Sequence, residues 1–415
     1  MPVFKSGNFG IFFLFFGWGC RQNDVVFAIF DAMSIPLIIQ TQEAFEKVVE
    51  HLSGLEAFAI DTEFDHNHYA YGFTLCLIQI ATPDTCYLID PFAIADLTPL
   101  WRVLESETSE KIFHDCGEDL RLLHLHGCSP RNIFDTSVAA KMLSLEKIGL
   151  SSVLFELLGV ESSKTKQQSN WLKRPLLPMQ LEYAANDVIH LPALRKLTAE
   201  RLQAQNRWEW FEQMMRVVEQ KDYSPKSKET FLSPKEQRDF TPFQQYILNE
   251  LYRFRDEQAK RINKPHYQVF SEKIVYQVME HPVVLNDWMN LKGIHYRIQN
   301  ESVAEQFRGV LEQAEAAAKA QLLSTQKRVP TGQEIAEWQR KSTRYNRLRE
   351  HVFLPIKRWI EECYGAHFAP YVLSNETIGI LIGGEMKLSE INPAFQQSII
   401  REAAQTLNID ISAFE

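Results

Sequence analysis

The chain has 415 residues, of which 45% are hydrophobic and 23% charged, and its formal net charge is −9. This composition is that of an ordinary globular protein with ample core and room for two or three domains. The acidic balance argues against binding nucleic acid through overall charge. It still allows a metal-dependent nuclease in which a local basic surface flanks acidic groups.

Two features of the sequence bear on cellular location. The six cysteines form no C-x-x-C pair and no zinc-like spacing, a usage typical of the reducing cytoplasm, where we expect this protein. The apolar run Ile11–Phe16 is long enough for a signal-peptide core but too short to span a bilayer. Trp18 is bulky where a cleavage site needs small residues. We therefore interpret residues 1–32 as a leader upstream of the true start at Met33, and we expect no membrane partner.

From Met33 onward, short apolar runs alternate with amphipathic segments. The apolar runs predict strands at residues 35–39, 57–64, 73–81, 86–89, 111–115 and 132–135. The amphipathic segments predict helices at residues 43–52, 117–123, 137–143, 149–158 and 181–188. Three strands in succession, followed by alternating helices and strands, predict an α/β domain with a mixed sheet.

The strand at residues 57–64 ends with two carboxylates, Asp61 and Glu63. Successive side chains of a strand alternate between its faces, so these two acids point the same way. Two buried like charges repel each other, and each costs several kcal/mol to desolvate (roughly 2–7 for an uncompensated polar group). A divalent cation removes that cost, so the pair predicts the start of a magnesium site. The alternative for a D-x-E triplet is an ordinary solvated surface.

Three further residues are candidates for the same site. Asp119 lies in the first turn of a predicted helix, where an acid can also serve only to complement the helix dipole. Tyr183 and Asp187 are four residues apart on another predicted helix, so they share one face, either at a site or as a surface pair. His114 also lies close in sequence, but magnesium prefers oxygen ligands, so we leave it out of the metal shell.

The loop at residues 164–175 is basic and contains one large aromatic side chain. We predict that Lys164, Trp171 and Arg174 bind substrate there, as cations and a stacking platform beside the acids. The alternative is a solvated loop with no ligand.

Together these motifs resemble the DEDD superfamily of 3′–5′ exonucleases, in the subgroup with tyrosine in the last motif. Within it, the ribonuclease D family is the most similar, on the strings A-I-D-T-E-F, H-D-C-G-E-D-L, W-L-K-R-P-L and E-Y-A-A-N-D-V. The resemblance covers residues 33–205 and implies an exonuclease domain with a ribonuclease H-like mixed sheet flanked by helices. Asn170 and Gln168 depart from the residues common in that family, which puts substrate contacts in doubt rather than the chemistry.

The resemblance also implies a division of labour among the five residues Asp61, Glu63, Asp119, Tyr183 and Asp187. Two divalent cations, Mg²⁺ or Mn²⁺, would be bridged by Asp61, with Glu63 and Asp187 completing one shell and Asp119 holding the second ion through water. Tyr183 would orient and help deprotonate the attacking water. The implied reaction is release of 5′-mononucleotides from an RNA with a free 3′ end. The expected role is 3′ processing of tRNA precursors by a monomeric enzyme.

After Asn206 the pattern becomes helical. We expect a helix and linker at residues 206–240, a first helical domain at 241–320, a basic connector at 321–342 and a second helical domain at 343–415. These all-α bundles resemble the helicase-and-RNase-D C-terminal (HRDC) module, which binds nucleic acid or partners. The second copy is predicted because Pro370–Asn375 resembles Pro265–Ser271 in sequence. Arg340–Arg349 either holds RNA or is a solvated face.

Two other functions remain open from the sequence. One is an RNA-binding protein with an inert exonuclease fold, which the five intact site residues argue against. The other is a DNA-directed proofreading exonuclease, which the helical tail and the absence of a polymerase region argue against. We also expect a chain ending at Lys221 to retain activity on short oligomers, because the five residues precede it.

Overall fold

A mixed sheet forms the centre of the N-terminal domain in the computed structural model, which describes residues 36–161, 169–225 and 229–415. The strands are Leu37–Ile39 (β1), Ala57–His66 (β2), Phe73–Ala81 (β3), Cys86–Ile89 (β4), Glu110–Phe113 (β5) and Ile133–Asp135 (β6). Their order across the sheet is β1-β4-β3-β2-β5-β6. The pairs β2–β3 and β3–β4 are antiparallel and the other pairs are parallel. The predicted α/β class is confirmed.

Apolar layers cover both faces of the sheet because β2 alternates its side chains between them. Phe58 and Ile60 point into one layer. Its helices are Gln42–Ser53, Thr98–Glu105 and Gly117–Leu125. Ala59 points into the opposite layer. The helices there are Thr136–Met142, Leu150–Leu158, Pro178–Ile189, Leu191–Ala204 and Trp208–Gln220.

One edge of β2 is open where the acids lie. The neighbouring strand β5 pairs with β2 only from Ala57 to Ala59, whereas β2 continues to His66. Beyond Ala59 the backbone groups on that edge therefore need partners other than a strand. This gap positions the candidate site.

The first helical unit has its own core. Its helices are Pro234–Asp239, Pro242–Ile262, His266–Val269, Glu272–Glu280 and Glu301–Ala320, with a 3₁₀ segment at Pro282–Asn290. Phe254 and Phe307 stack at 4.8 Å between ring centroids, and Phe270 and Trp288 surround Phe307.

The predicted linker at 206–240 needs correction, because its last residues form a helix of this first unit. Ser233 and Glu236 cap each other's backbone amides at the start of Pro234–Asp239. Glu236 also accepts a hydrogen bond of 2.7 Å from the Tyr276 hydroxyl. Pro234, which suggested a linker, is the first helical residue, where proline is favoured because its missing N–H has no partner to lose.

The second helical unit repeats part of the first. Its helices are Gly332–Leu348, Leu354–Tyr364, Ala369–Val372, Asn375–Gly383 and Ala394–Thr406. In both units a four-residue helix is followed by a serine N-cap, Ser271 or Ser374, and then a nine-residue helix. The predicted boundary between connector and domain at residue 342 is wrong, because a π turn at Arg349–Phe353 joins the first two helices without a break.

The second unit shares a hydrophobic core with the exonuclease domain. Trp210 stacks on Phe368 and on Phe395, with ring centroids 5.7 and 5.4 Å apart. Gly365, at φ +99°, approaches Ser144 so closely that a Cβ atom there would lie 1.7 Å from the serine Oγ. A chain ending at Lys221 would lose these contacts, so the activity on short oligomers that we expect of it requires the sheet domain to stay folded without them.

In the parts of the chain that the structure describes, no helix combines the length and the apolar character that a bilayer span requires. The described cysteines, Cys76, Cys86, Cys116, Cys128 and Cys363, are all free thiols.

Candidate active site

Strand β2 presents Asp61 and Glu63 on the face covered by the helix Pro178–Ile189. Phe58 and Ile60 point into the opposite layer, so the alternation turns the two acids toward this helix, as the sequence predicts. Both side chains are partly buried.

Asp119 fills the gap on the open edge of β2. It lies in the first turn of the helix Gly117–Leu125, and its Oδ1 accepts a 3.1 Å hydrogen bond from the backbone N–H of Thr62. The Thr62 hydroxyl donates to the same oxygen. Asp119 thus takes the place of a strand partner and is held beside the two acids of β2.

The helix Pro178–Ile189 supplies the other two residues. Ala184, Ala185 and Val188 are buried in the core on this side of the sheet, which brings the helix close to β2. Tyr183 and Asp187, one turn apart, therefore face the acids of β2, and the Tyr183 hydroxyl donates a hydrogen bond to the Asp187 carboxylate.

The five predicted residues meet in one cavity of about 530 Å³. Carboxylate oxygens of Asp61, Glu63 and Asp187 lie within 4.8 Å of one another. Asp119 and Tyr183 line the same cavity. The structure therefore brings all five candidate side chains to one place.

The electrostatics of the cluster favour a bound cation. Burial, followed by the charges of Asp119 and Asp187, raises the pKa of Asp61 well above 3.8. Burial, followed by the charge of Asp61, raises the pKa of Glu63 well above 4.5. Carboxylates whose ionised forms are penalised in this way gain most from a nearby positive charge.

Asp119 and Asp187 each have a pKa raised from 3.8 to about 6. Burial is the main cause for both residues. The hydrogen bonds from Thr62 oppose the rise for Asp119, and the hydrogen bond from Tyr183 opposes it for Asp187.

The donor set fits magnesium or manganese. Every clustered ligand atom is a carboxylate oxygen, and oxygen ligands are what these hard cations select. His114 lines the cavity, but its Nδ1 is 2.8 Å from the Thr136 hydroxyl and its Nε2 is 3.0 Å from the Ile148 carbonyl. Both ring nitrogens are therefore occupied, and His114 supports the cavity wall without joining the ligand cluster.

The structure gives Trp171 an interior position. Its side chain is 2% exposed, and its ring centroid lies 6.2 Å from that of Tyr183. A base cannot stack on a buried ring, so in this structure Trp171 backs the tyrosine instead of forming a platform for RNA.

Arg174 is similarly committed to the protein. Its guanidinium makes two hydrogen bonds to Asp90, at 2.7 and 2.8 Å, and one of 2.6 Å to the Cys76 carbonyl. Burial acts to raise the pKa of Asp90, but the hydrogen bonds and charge of Arg174 outweigh it and lower that pKa. Lys164, the third predicted substrate contact, lies outside the described residues.

Ser137 and Lys141, for which the sequence predicted no role, are among the residues that line the cavity. Both lie on the helix Thr136–Met142, four residues apart. Their spacing places them on one helix face, but nothing in the local sequence shows that this face meets the acids.

Known proteins with similar sequences identify the family. A family model described as 3′-5′ exonuclease matches residues 36–202. The ribonuclease D of Zymomonas mobilis is 30% identical over 293 residues, which cover 68% of this chain and 74% of the relative. The chain belongs to the ribonuclease D family. The predicted family is thus confirmed.

Other ribonuclease D proteins match over a shorter region. That of Desulfotalea psychrophila is 33% identical over 246 residues, which cover 58% of this chain and 66% of the relative. For this and the next three curated relatives, the chain spans between 58% and 66% of the relative's length.

Solved structures show the same fold as this member of the ribonuclease D family. Escherichia coli RNase D, described as an exoribonuclease involved in structured RNA processing, has a TM-score of 0.60 at 21% identity, covering 89% of this chain and 99% of its own. A protein from Bifidobacterium adolescentis has a TM-score of 0.67 at 20% identity, covering 90% and 97%. The similarity in fold therefore extends over the helical half as well as the sheet domain.

Proposed function

We propose that this chain is a 3′–5′ exoribonuclease that releases 5′-mononucleotides from RNA with the help of two divalent cations. The observation that carries this proposal is the convergence of Asp61, Glu63, Asp119, Tyr183 and Asp187 on one cavity in a chain of the ribonuclease D family. Both helical units lie after these five residues in the chain, so the chemistry rests on the sheet domain.

Four carboxylates would hold the cations. Asp61, Glu63 and Asp187 would bind one ion directly, because their oxygens already lie within 4.8 Å of one another. Asp61 would be shared with the second ion, and Asp119, held by Thr62, would reach that ion through water. When bound, the two ions supply electrostatic stabilisation of the attacking and leaving oxygens of an in-line displacement.

Tyr183 would orient the attacking water. Burial, followed by the charges of Asp187 and Glu63, raises the pKa of Tyr183 above its usual value of about 10. The phenol is therefore neutral at physiological pH and acts as a hydrogen-bond donor and acceptor. This supports the orienting part of the predicted role more than the proton-abstracting part.

The biological setting belongs to the same proposal. We infer that the enzyme trims the 3′ ends of tRNA precursors as a monomer. The description of Escherichia coli RNase D as an exoribonuclease involved in structured RNA processing is compatible with a structured RNA substrate. The two helical units would be HRDC-like modules that hold RNA behind the cavity. The free thiols of the described cysteines suit the cytoplasm.

A gel assay with a 5′-labelled, 3′-extended RNA tests the proposal. The wild-type protein in millimolar Mg²⁺ should give a ladder of products shortened from the 3′ end, and EDTA should stop the reaction. Asp61→Asn should remove the activity, whereas Glu182→Gln, an exposed carboxylate on the Tyr183 helix, should retain it.

Two results of this assay would favour the other functions. Binding of the RNA without any shortening would support an inert exonuclease fold. Faster degradation of a DNA oligomer of the same sequence would support a DNA-directed exonuclease.

A further inference from the structure

The catalytic cavity has a second group of lining residues besides the acids. They come from the helix Thr136–Met142 and from the start of the helix Leu150–Leu158. The proposed mechanism gives them no role. Their chemistry is suited to an anion, in contrast to the cation-binding carboxylates.

Lys141 is the only lysine or arginine among the described residues that line this cavity. Its side chain is 17% exposed, and its Nζ lies 3.9 Å from the carboxylate of Asp115, which is itself 78% exposed. A contact at that distance with a solvated acid contributes little. The charge of Lys141 is therefore still available to a ligand.

Ser137 lies one turn before Lys141 on the same helix face. It is 1% exposed, and its Oγ has no hydrogen-bond partner within the parts of the chain that the structure describes. Leaving a buried hydroxyl without a partner is costly, so such groups in cavities commonly complete their hydrogen bonds with a ligand or water.

The start of the helix Leu150–Leu158 adds a third anion-binding element. Gly149 is its N-cap and makes no side-chain capping hydrogen bond. Gly149, Leu150 and Ser151 all line the cavity. An uncapped helix N-terminus presents N–H groups and a partial positive charge to whatever lies before it.

We propose that Lys141, Ser137 and the N-terminus of the helix Leu150–Leu158 form a phosphate subsite for the RNA phosphodiester one step 5′ of the scissile bond. This inference rests on the proposed exonuclease function. With the scissile phosphate at the carboxylate cluster, the nucleoside being released carries only hydroxyls at its 3′ end. The next anion along the substrate is therefore the adjacent upstream phosphodiester.

Tyr371 of the second helical unit is a positioning residue for this subsite. The Lys141 Nζ lies 5.4 Å from the centroid of the Tyr371 ring. Burial acts to lower the pKa of Lys141, but the interaction with the Tyr371 hydroxyl outweighs it and raises that pKa. The Tyr371 carbonyl in turn accepts a hydrogen bond from Gln396. The C-terminal unit thus holds the lysine against the cavity.

RNA oligomers with one neutral methylphosphonate linkage test the proposal. The linkage is placed second, third or fourth from the 3′ end, and release of the first nucleotide is measured as kcat/KM. For the wild type, we expect the second linkage alone to lower kcat/KM, by about ten- to a hundred-fold, as for loss of a charge-assisted hydrogen bond. Lys141→Met should lower kcat/KM for the unmodified oligomer by a similar factor. For that variant, making the second linkage neutral should lower kcat/KM by less than about a further threefold.

Matched variants separate this role from a structural one. Lys147→Met removes an exposed lysine outside the cavity and should behave as wild type. Lys141→Arg keeps the charge and should keep the sensitivity to the second linkage. Tyr371→Phe should raise KM for the unmodified oligomer more than it lowers kcat.

Three results would overturn the inference. The first is that the factors by which Lys141→Met and the neutral second linkage lower kcat/KM multiply when the two changes are combined. The lysine and the linkage would then act independently. A wild type sensitive only to the third or fourth linkage would assign the subsite to another phosphate. A wild type that removes no nucleotide from unmodified RNA would contradict the proposed function itself, and the subsite with it.

Discussion

Replacing Asp187 with asparagine should stabilise the metal-free protein. The pKa of Asp187 rises from 3.8 to about 6 on folding, which corresponds to about 3 kcal/mol at about 1.4 kcal/mol per pKa unit. Asparagine removes the buried charge and can still accept the hydrogen bond from Tyr183. Because the side chain is only partly buried, we expect a gain of about 1–3 kcal/mol in the free energy of unfolding at pH 7.5 in EDTA, or a rise in Tm of roughly 2–8 °C.

The pH dependence of this gain has a definite sign. Well below pH 3.8 Asp187 is protonated in both the folded and unfolded states, so the charge-related advantage of Asp187→Asn is absent there. The wild type loses stability relative to the variant as the pH rises from about 4 to about 6, because ionisation is penalised in the folded state. Above about pH 7, where Asp187 is ionised in both states, the difference should be constant.

Magnesium should reverse the order. At a concentration 100 times its Kd, a ligand that binds only the folded protein stabilises it by about 2.7 kcal/mol, and Asp187→Asn should lose most of that gain. Thermal unfolding in EDTA and in Mg²⁺ measures both effects, with Glu182→Gln as the control for loss of an exposed carboxylate. A variant that is less stable than wild type in EDTA at pH 7.5, or that gains as much from Mg²⁺, would refute the reasoning.

Three further predictions concern the tyrosine, the domain interface and RNA binding. Tyr183→Phe should lower kcat about 10²–10⁴-fold without changing the Mg²⁺ affinity measured by calorimetry; a large loss of affinity would instead make the phenol part of the metal shell. Gly365→Ala should lower Tm, because its Cβ would lie 1.7 Å from the Ser144 Oγ. Adding Ser144→Gly should restore part of the lost Tm. If the decreases in Tm from the two substitutions simply add, this contact is contradicted. Arg340, Arg344 and Arg347 are all exposed. Changing the three to glutamine should make the slope of log K for single-stranded RNA against log salt shallower by about 2, because each phosphate neutralised contributes about 0.7. An unchanged slope would mean that this helix face is only solvated.

The convergence of four of the candidate side chains was predictable because it depends on two local periodicities. Alternation along a strand places Asp61 and Glu63 together, and a spacing of four on a helix places Tyr183 and Asp187 together. Both rules act within one element, so they can be read from the sequence. The role of Asp119 as a partner for the Thr62 amide could not, because it depends on β5 pairing with β2 no further than Ala59.

The errors arose where distant contacts decide a residue's environment. The composition of the loop suggested a nucleic-acid surface, but Arg174 pairs with Asp90, which lies 84 residues earlier. The sequence predicted no role for Lys141 and Ser137 for the same reason, since only the folded chain brings their helix beside the acids. Charge in a sequence shows how many cations a segment has, and the fold decides whether they are already paired.

The chemical form of the product tests the central claim most directly. The wild-type protein digests a 3′-extended RNA in ¹⁸O-enriched water with Mg²⁺, and mass spectrometry identifies the released nucleotides. Water attack at phosphorus with the upstream 3′ oxygen leaving predicts 5′-mononucleotides that each carry one ¹⁸O on the phosphate. Nucleotides with a 3′-phosphate or a 2′,3′-cyclic phosphate, or 5′-mononucleotides without ¹⁸O, would contradict it.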